Sequence, residues 1–230
     1  MDIIYAGQHN TYYLNHDGFG GKKIVILDEK QNNKYICKFE QSDQSVKEVA
    51  AQKIVADLFL PSINTRWIKY NDKIFGALQF IDGLESLSLE KYKTLSPSQK
   101  ELDIYFLLLH RLFNNPDAGE IYINSNGDIF SLDFGETTIG DRKLSYILTE
   151  ISLNSGASVL SQYLCDKSIS CERFIELERI ILKRIVESKF EEYYKFISDV
   201  NLLFGNFIAK QYEDYIIQIK NICKKLLCAL

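Results

Sequence analysis

The feature that most constrains this chain is a change of hydrophobic period near residue 84. Residues 1–40 and 61–83 alternate apolar and polar side chains, whereas beyond 84 the apolar positions recur every three to four residues. Alternation suits a half-buried strand, and the longer repeat suits a helix with one buried face. The pattern predicts an α+β fold in one domain. A small β-rich lobe, about 1–82, precedes a larger, mostly helical lobe, about 84–230, with a hinge at about 79–84. The cleft between two lobes is a usual place for a ligand.

Residues 12–14, 23–27 and 35–39 read as three short strands, with Asp17-Gly18-Phe19-Gly20-Gly21 as a glycine-rich turn between the first two. Val46, Val49, Ala50, Ile54 and Leu58 mark a helix over 45–60. Ser45-x-x-Glu48 has the spacing of a capping box at its start, and Pro61 follows its end. Residues 66–70 and 74–80 form a hairpin across Asn71-Asp72. Ser96-Pro97-Ser98 opens a helix running to 113, before Pro116. Beyond 143 the pattern is helical, most strongly over 174–187 and 190–230.

Composition narrows the function. Apolar residues make up 46% and charged residues 25%, enough for a sizeable core. A net charge of −4 with no basic run argues against nucleic acid as a partner. The five cysteines, Cys37, Cys165, Cys171, Cys223 and Cys228, show no CxxC spacing and are accompanied by three histidines. Neither a disulfide framework nor a zinc site is expected. No apolar run reaches the ~20 residues of a membrane span. The first residues lack the basic segment of a signal peptide, so the expected location is the cytoplasm; delivery into a host cell would leave no mark in this sequence.

One hairpin carries the chemistry. Asn126-Gly127 is a strong signal for a two-residue turn. Folding the chain there sets Ile123 against Phe130, Tyr122 against Ser131, Ile121 against Leu132 and Glu120 against Asp133. Opposed residues have Cβ atoms roughly 4.5–5.5 Å apart, where two carboxylates repel unless a cation lies between them. Mg²⁺ is commonly held by one or two carboxylates together with substrate phosphates. The alternative is that Glu120 turns into solvent and Asp133 caps the next turn.

The run Ile129-Phe130-Ser131-Leu132-Asp133-Phe134-Gly135-Glu136 resembles the metal-binding segment of protein kinases. It is closest to the atypical branch that includes phosphatidylinositol 3- and 4-kinases and HipA-like bacterial kinases. Other parts follow in the order of that superfamily: Gly18, Gly20 and Gly21 in a turn, Lys38 in a later strand, Glu48 in the next helix, and Gln79-Phe80-Ile81 before Asp82-Gly83 at the hinge. The resemblance covers residues ~10–140 and implies a bilobal protein-kinase-like fold that binds ATP and Mg²⁺ or Mn²⁺.

On that resemblance, Lys38 contacts phosphates and Glu48 orients it, with Glu40 a poorer alternative. Asp133 and Glu120 bind metal. Gln79, Phe80 and Ile81 offer backbone groups to adenine, with Ile24, Ile36 and Phe80 around the ring. Bland alternatives stand beside these: a tight turn for the glycines, a solvent-facing strand residue for Lys38 and a helix cap for Glu48. The segment Asn114-Asn115-Pro116-Asp117-Ala118-Gly119-Glu120 departs from the family's catalytic loop. Asp117 is the preferred base, Asn115 occupies that place by ungapped counting, and Glu120 stands where the family has Asn. His110-Arg111 is similar to the start of a His-Arg-Asp motif, but Leu112 follows, and cations at a helix end already suit its dipole. The implied function is an ATP-dependent phosphotransferase, a protein Ser/Thr kinase of bacterial atypical type. A pseudokinase binding a protein partner and an AMP transferase are the alternatives.

Overall fold

The computed structural model describes residues 3–7, 10–14, 23–28, 32–38, 42–113, 121–135, 137–140, 167 and 169–229. Its first part is a six-stranded sheet. In chain order the strands are β1 (Ile3–Tyr5), β2 (Thr11–Leu14), β3 (Lys23–Asp28), β4 (Asn33–Lys38), β5 (Thr65–Tyr70) and β6 (Lys73–Gln79). They lie in the order β1-β5-β6-β4-β3-β2, antiparallel except for β1 beside β5. The β5–β6 turn is the expected one: Asn71 and Asp72 both have positive φ, at 47° and 62°, as a two-residue hairpin turn requires.

Helix α1 (Ser42–Asp57) crosses the sheet between β4 and β5. The expected apolar stripe, Val46, Val49, Ala50, Ile54 and Leu58, is buried. The capping box is not formed. The helix begins three residues before Ser45, so Ser45 and Glu48 lie inside it, and both are buried. The Gly76 amide donates to Ser45 Oγ at 3.1 Å, and the Gly135 amide donates to Glu48 Oε1 at 3.1 Å. Distant backbone thus claimed two acceptors that a local reading assigned to the helix start. The helix also ends earlier than expected, at Asp57, with Phe59 at φ 57°.

Beyond the sheet lie a short strand β7 (Glu85–Ser86), α2 (Leu89–Thr94) and α3 (Pro97–Leu112). Ser96 caps α3 in a full capping box with Gln99, as Ser96-Pro97 predicts. Strands β8 (Ile121–Ile123) and β9 (Ile129–Ser131) join β7 in a second sheet, ordered β7-β8-β9. Of three further helices, α4 (Cys171–Glu187) packs on α3, α5 (Glu191–Phe204) on α1, and α6 (Asn206–Ala229) against α4 and α5. The helical pattern expected over 190–230 forms two helices, because Gly205 takes φ 89° and ψ 163° between them. The helical pattern expected over 143–166 lies outside the described residues.

Candidate functional site

The hairpin is present, with a different register. Ile121 pairs with Ser131, Tyr122 with Phe130 and Ile123 with Ile129. The loop has three residues, not two. The Gly127 amide donates to Asn124 O and the Asn124 amide to Asp128 O, each at 3.0 Å, and Gly127 has φ 85°. That is a three-residue loop closed by glycine in the left-handed region. Asn124 selects it, because its Oδ1 accepts from both the Asn126 and Asp128 amides at 2.9 Å. A slip of one residue changes every facing pair, so a ladder of this register does not set Asp133 opposite residue 120. Glu120 itself lies outside the described residues, as do Gly18, Gly20, Gly21, Glu40, Asn115 and Asp117.

Asp133 is marked by its backbone. It is half-buried just past the end of β9, with φ 63°. Non-glycine residues are uncommon in this region and cluster at functional sites, where surrounding structure holds them. Helix α1 supplies much of that hold. Gln52, 1% exposed, donates to Ser131 O at 2.9 Å and accepts from the Ile63 amide at 2.9 Å. Glu48 accepts from the Gly135 amide, and Lys47 Nζ donates to Thr137 O at 2.7 Å. A Cβ on Gly135 would lie 3.0 Å from Gln44 Cβ, so the segment runs close against the helix. Ser45, Glu48 and Gln52 form a buried polar stripe at helical spacing, each member bonded to backbone of another element. Gln52 was missed in the sequence. A polar stripe beside the apolar one, leaving α1 little solvent face, is the signal that marks it.

The other side of the segment rests on α3. Phe134 is buried and stacks on His110, with centroids 4.3 Å apart and planes 7° apart, and it meets Phe113 edge-on at 5.9 Å. His110 Nε2 lies 2.5 Å from Ser131 Oγ. His110 is therefore not a cation serving the helix dipole: it is fully buried, and burial holds its pKa down at about 4, with Asp133 pulling the other way. In an unfolded chain the value is about 6.5. As pH falls from 6.5 to 4 the unfolded chain takes up a proton that the folded one refuses, so stability drops across that window. The full gap corresponds to roughly 3 kcal/mol. Denaturant unfolding at pH 7 and pH 4.5 should show most of this loss, and His110→Gln should flatten the difference.

Lys38 ends β4, and its side chain lies outside the described residues. Alternation sets position 38 on the sheet face shared by Ile36 and Leu78, the face that α1 covers through Gly76. Val25 pairs with Ile36 and is buried on that face; the Ile24 side chain lies outside the described residues. The hinge backbone is also less open than expected. The Gln79 amide donates to Asn64 O and the Phe80 amide to Lys34 O, both at 2.7 Å. Of the three expected contacts with adenine, Gln79 and Phe80 have their amide donors engaged within the protein.

Among the described residues no group of three or more His, Cys, Asp and Glu is placed to hold a metal. The donor set in view is the Asp133 carboxylate, which fits a hard cation that draws its remaining ligands from phosphate and water. No helix among the described residues is long and apolar enough to cross a membrane.

No protein-family model matches this chain, and no curated protein matches its sequence. Among solved structures it is similar to the Helicobacter pylori proinflammatory kinase CtkA, at 15% identity over 89% of this chain and 94% of that one, with a TM-score of 0.44. It is also similar to a chain of the Shewanella oneidensis MR-1 toxin–antitoxin complex of HipA, HipB and operator DNA. There the identity is 12%, the TM-score 0.52, and the match covers 96% of this chain and 64% of that one. The likeness at 0.52 is one of fold: the chain has a mixed α+β, bilobal protein-kinase-like architecture.

Proposed function

We propose that this chain is a single kinase-like domain that transfers the γ-phosphoryl group of ATP to a hydroxyl, on protein Ser or Thr, as in the atypical branch its motifs resemble. The observation that supports this best is Asp133, held in the left-handed region while α1 bonds the backbone on either side of it and α3 packs on the side chains of Ser131 and Phe134. Phosphoryl transfer is mostly positioning and charge stabilisation, which is what such an arrangement can supply.

In this reading Asp133, with Glu120 as a second ligand, would hold Mg²⁺ or Mn²⁺, which neutralises charge on the phosphates. Lys38 and the amides of Gly18, Gly20 and Gly21 would bind the phosphates, and Glu48 would orient Lys38 through its second carboxylate oxygen. Ile81 would offer backbone groups to adenine beside Gln79 and Phe80. Asp117 would accept the hydroxyl proton as the new P–O bond forms and the bond to ADP breaks.

The test is incubation of the pure protein with labelled ATP and Mg²⁺ or Mn²⁺, followed by product mass. Phosphoryl transfer adds about 80 Da and AMP transfer about 329 Da, estimated from the added groups. Label in the protein or an acceptor, at the smaller mass and lost in an Asp133 variant, is the expected result. Nucleotide-dependent thermal stabilisation with no turnover would instead identify a pseudokinase.

A further inference from the structure

Helix α1 grips the Asp133 segment through its middle, from Lys47 to Gln52, and its last residue is tied to the C-terminal helices. The N-cap position before helix α5 is Phe190, which has φ 54° and ψ 44° and gives no side-chain cap. The first amides of a helix have no partner within it, and a polar side chain at the N-cap usually supplies one. Phe190 is buried and does not. Asp57, 135 residues before Glu192, does so from α1: its Oδ1 accepts from the Glu192 amide at 3.0 Å and its Oδ2 from the Tyr193 amide at 2.8 Å.

Other contacts repeat the tie. Lys53, one turn earlier, lies 3.7 Å from Glu192. From β5, Trp67 Nε1 donates to Asp199 Oδ2 at 3.1 Å, and the Trp67 ring packs on Phe196 and Phe204. The β-rich part of the chain is thus fastened to α5 at two places, one of them the end of the helix that holds the candidate site.

We propose that Asp57 is a positioning residue for the Asp133 segment: by capping α5 it fixes α1 along its axis and thereby fixes Glu48 and Gln52 against residues 131–135. Asp57 stands five residues from Gln52 and nine from Glu48, about 7.5 and 13.5 Å along a helix. A helix over that length moves as a rod. A shift of about 1 Å at one end would stretch bonds now at 2.9 and 3.1 Å beyond useful length. The consequence for turnover rests on the phosphotransferase reading; the mechanical link does not.

Backbone amide exchange by NMR, in protein without nucleotide, tests it. The variants are Asp57→Ala, Asp57→Asn and a control, Ile219→Ala, a core truncation in α6, with exchange compared at matched global stability. In Asp57→Ala the Gly135 amide should exchange about tenfold faster than in the control, the effect of losing roughly one hydrogen bond. Asp57→Asn, which keeps one acceptor oxygen, should lie between them. Faster exchange at Glu192 and Tyr193 with Gly135 unchanged would overturn the proposal. If Asp57→Ala does not fold, the Asp57→Asn comparison is read in the same way. An inactive wild-type protein would count against phosphoryl transfer and leave the exchange result to decide the link; lost turnover with unchanged Gly135 exchange would end the link alone.

Discussion

Asp133→Asn should lower phosphoryl transfer by about 10²–10³-fold while shifting the thermal midpoint by no more than a few degrees. The magnitude is that of removing one preorganised electrostatic group from a reacting centre. The choice of Asn follows from the backbone. Position 133 has φ 63°, a region that Asn tolerates about as well as Asp and that other side chains enter at a cost of roughly 1–2 kcal/mol. Asn therefore keeps shape and conformation and removes the charge that would hold the metal. Alanine would confound the two by straining the backbone. Initial rates with Mg²⁺ and with Mn²⁺, alongside a melting curve, make the measurement. Equal turnover in the two proteins would show that Asp133 is not the ligand on which transfer depends.

Gly76→Ala should cost about 3–5 kcal/mol, a large share of the stability of an ordinary domain. Gly76 does not have positive φ, so the reason is space. A Cβ there would lie 2.3 Å from Ser45 O and 2.5 Å from Val49 Cγ2. One of these is helix backbone, which cannot rotate aside. Helix α1 would have to lift from the sheet, breaking the buried bond from the Gly76 amide to Ser45 Oγ. A fall in thermal midpoint on the order of 10 °C is expected. Gly83→Ala is the contrast. A Cβ at Gly83 meets nothing within 4 Å, and only its φ of 73° resists substitution, so the loss should be about 1 kcal/mol. The lifted α1 would also carry Glu48 and Gln52 away from residues 131–135. Nucleotide binding in Gly76→Ala should therefore suffer even below its melting point.

Much of the scaffold was legible in the residues themselves. The alternation over 23–27 and 35–39, the Asn71-Asp72 turn, the stripe from Val46 to Leu58 and the cap at Ser96 each correspond to an element. These signals are local. A side chain and the backbone within four residues of it decide them, so no knowledge of the rest of the molecule is needed.

What surrounds Asp133 was less legible, because several chemically sound local partners lost to distant ones. Asn126-Gly127 suits a two-residue turn as well as the three-residue loop that formed, and bonds to Asn124 tipped the choice and moved the register by one. Ser45 and Glu48 have the spacing of a cap but bond to Gly76 and Gly135. Asp57 ends one helix and caps another. His110 lies in an apolar helix whose last turn favours cations, yet burial against Phe134 keeps it neutral.

By itself, then, the chain's order of residues determined the place of most of the longer strands and helices to within a few residues, which faces are apolar, and that an acidic residue follows a strand at position 133. Tertiary structure alone decided which oxygen meets which amide, and with that the strained conformation at 133. A buried polar group must find a partner wherever the fold brings one within about 3 Å, and that distance is set by packing between elements far apart in the chain.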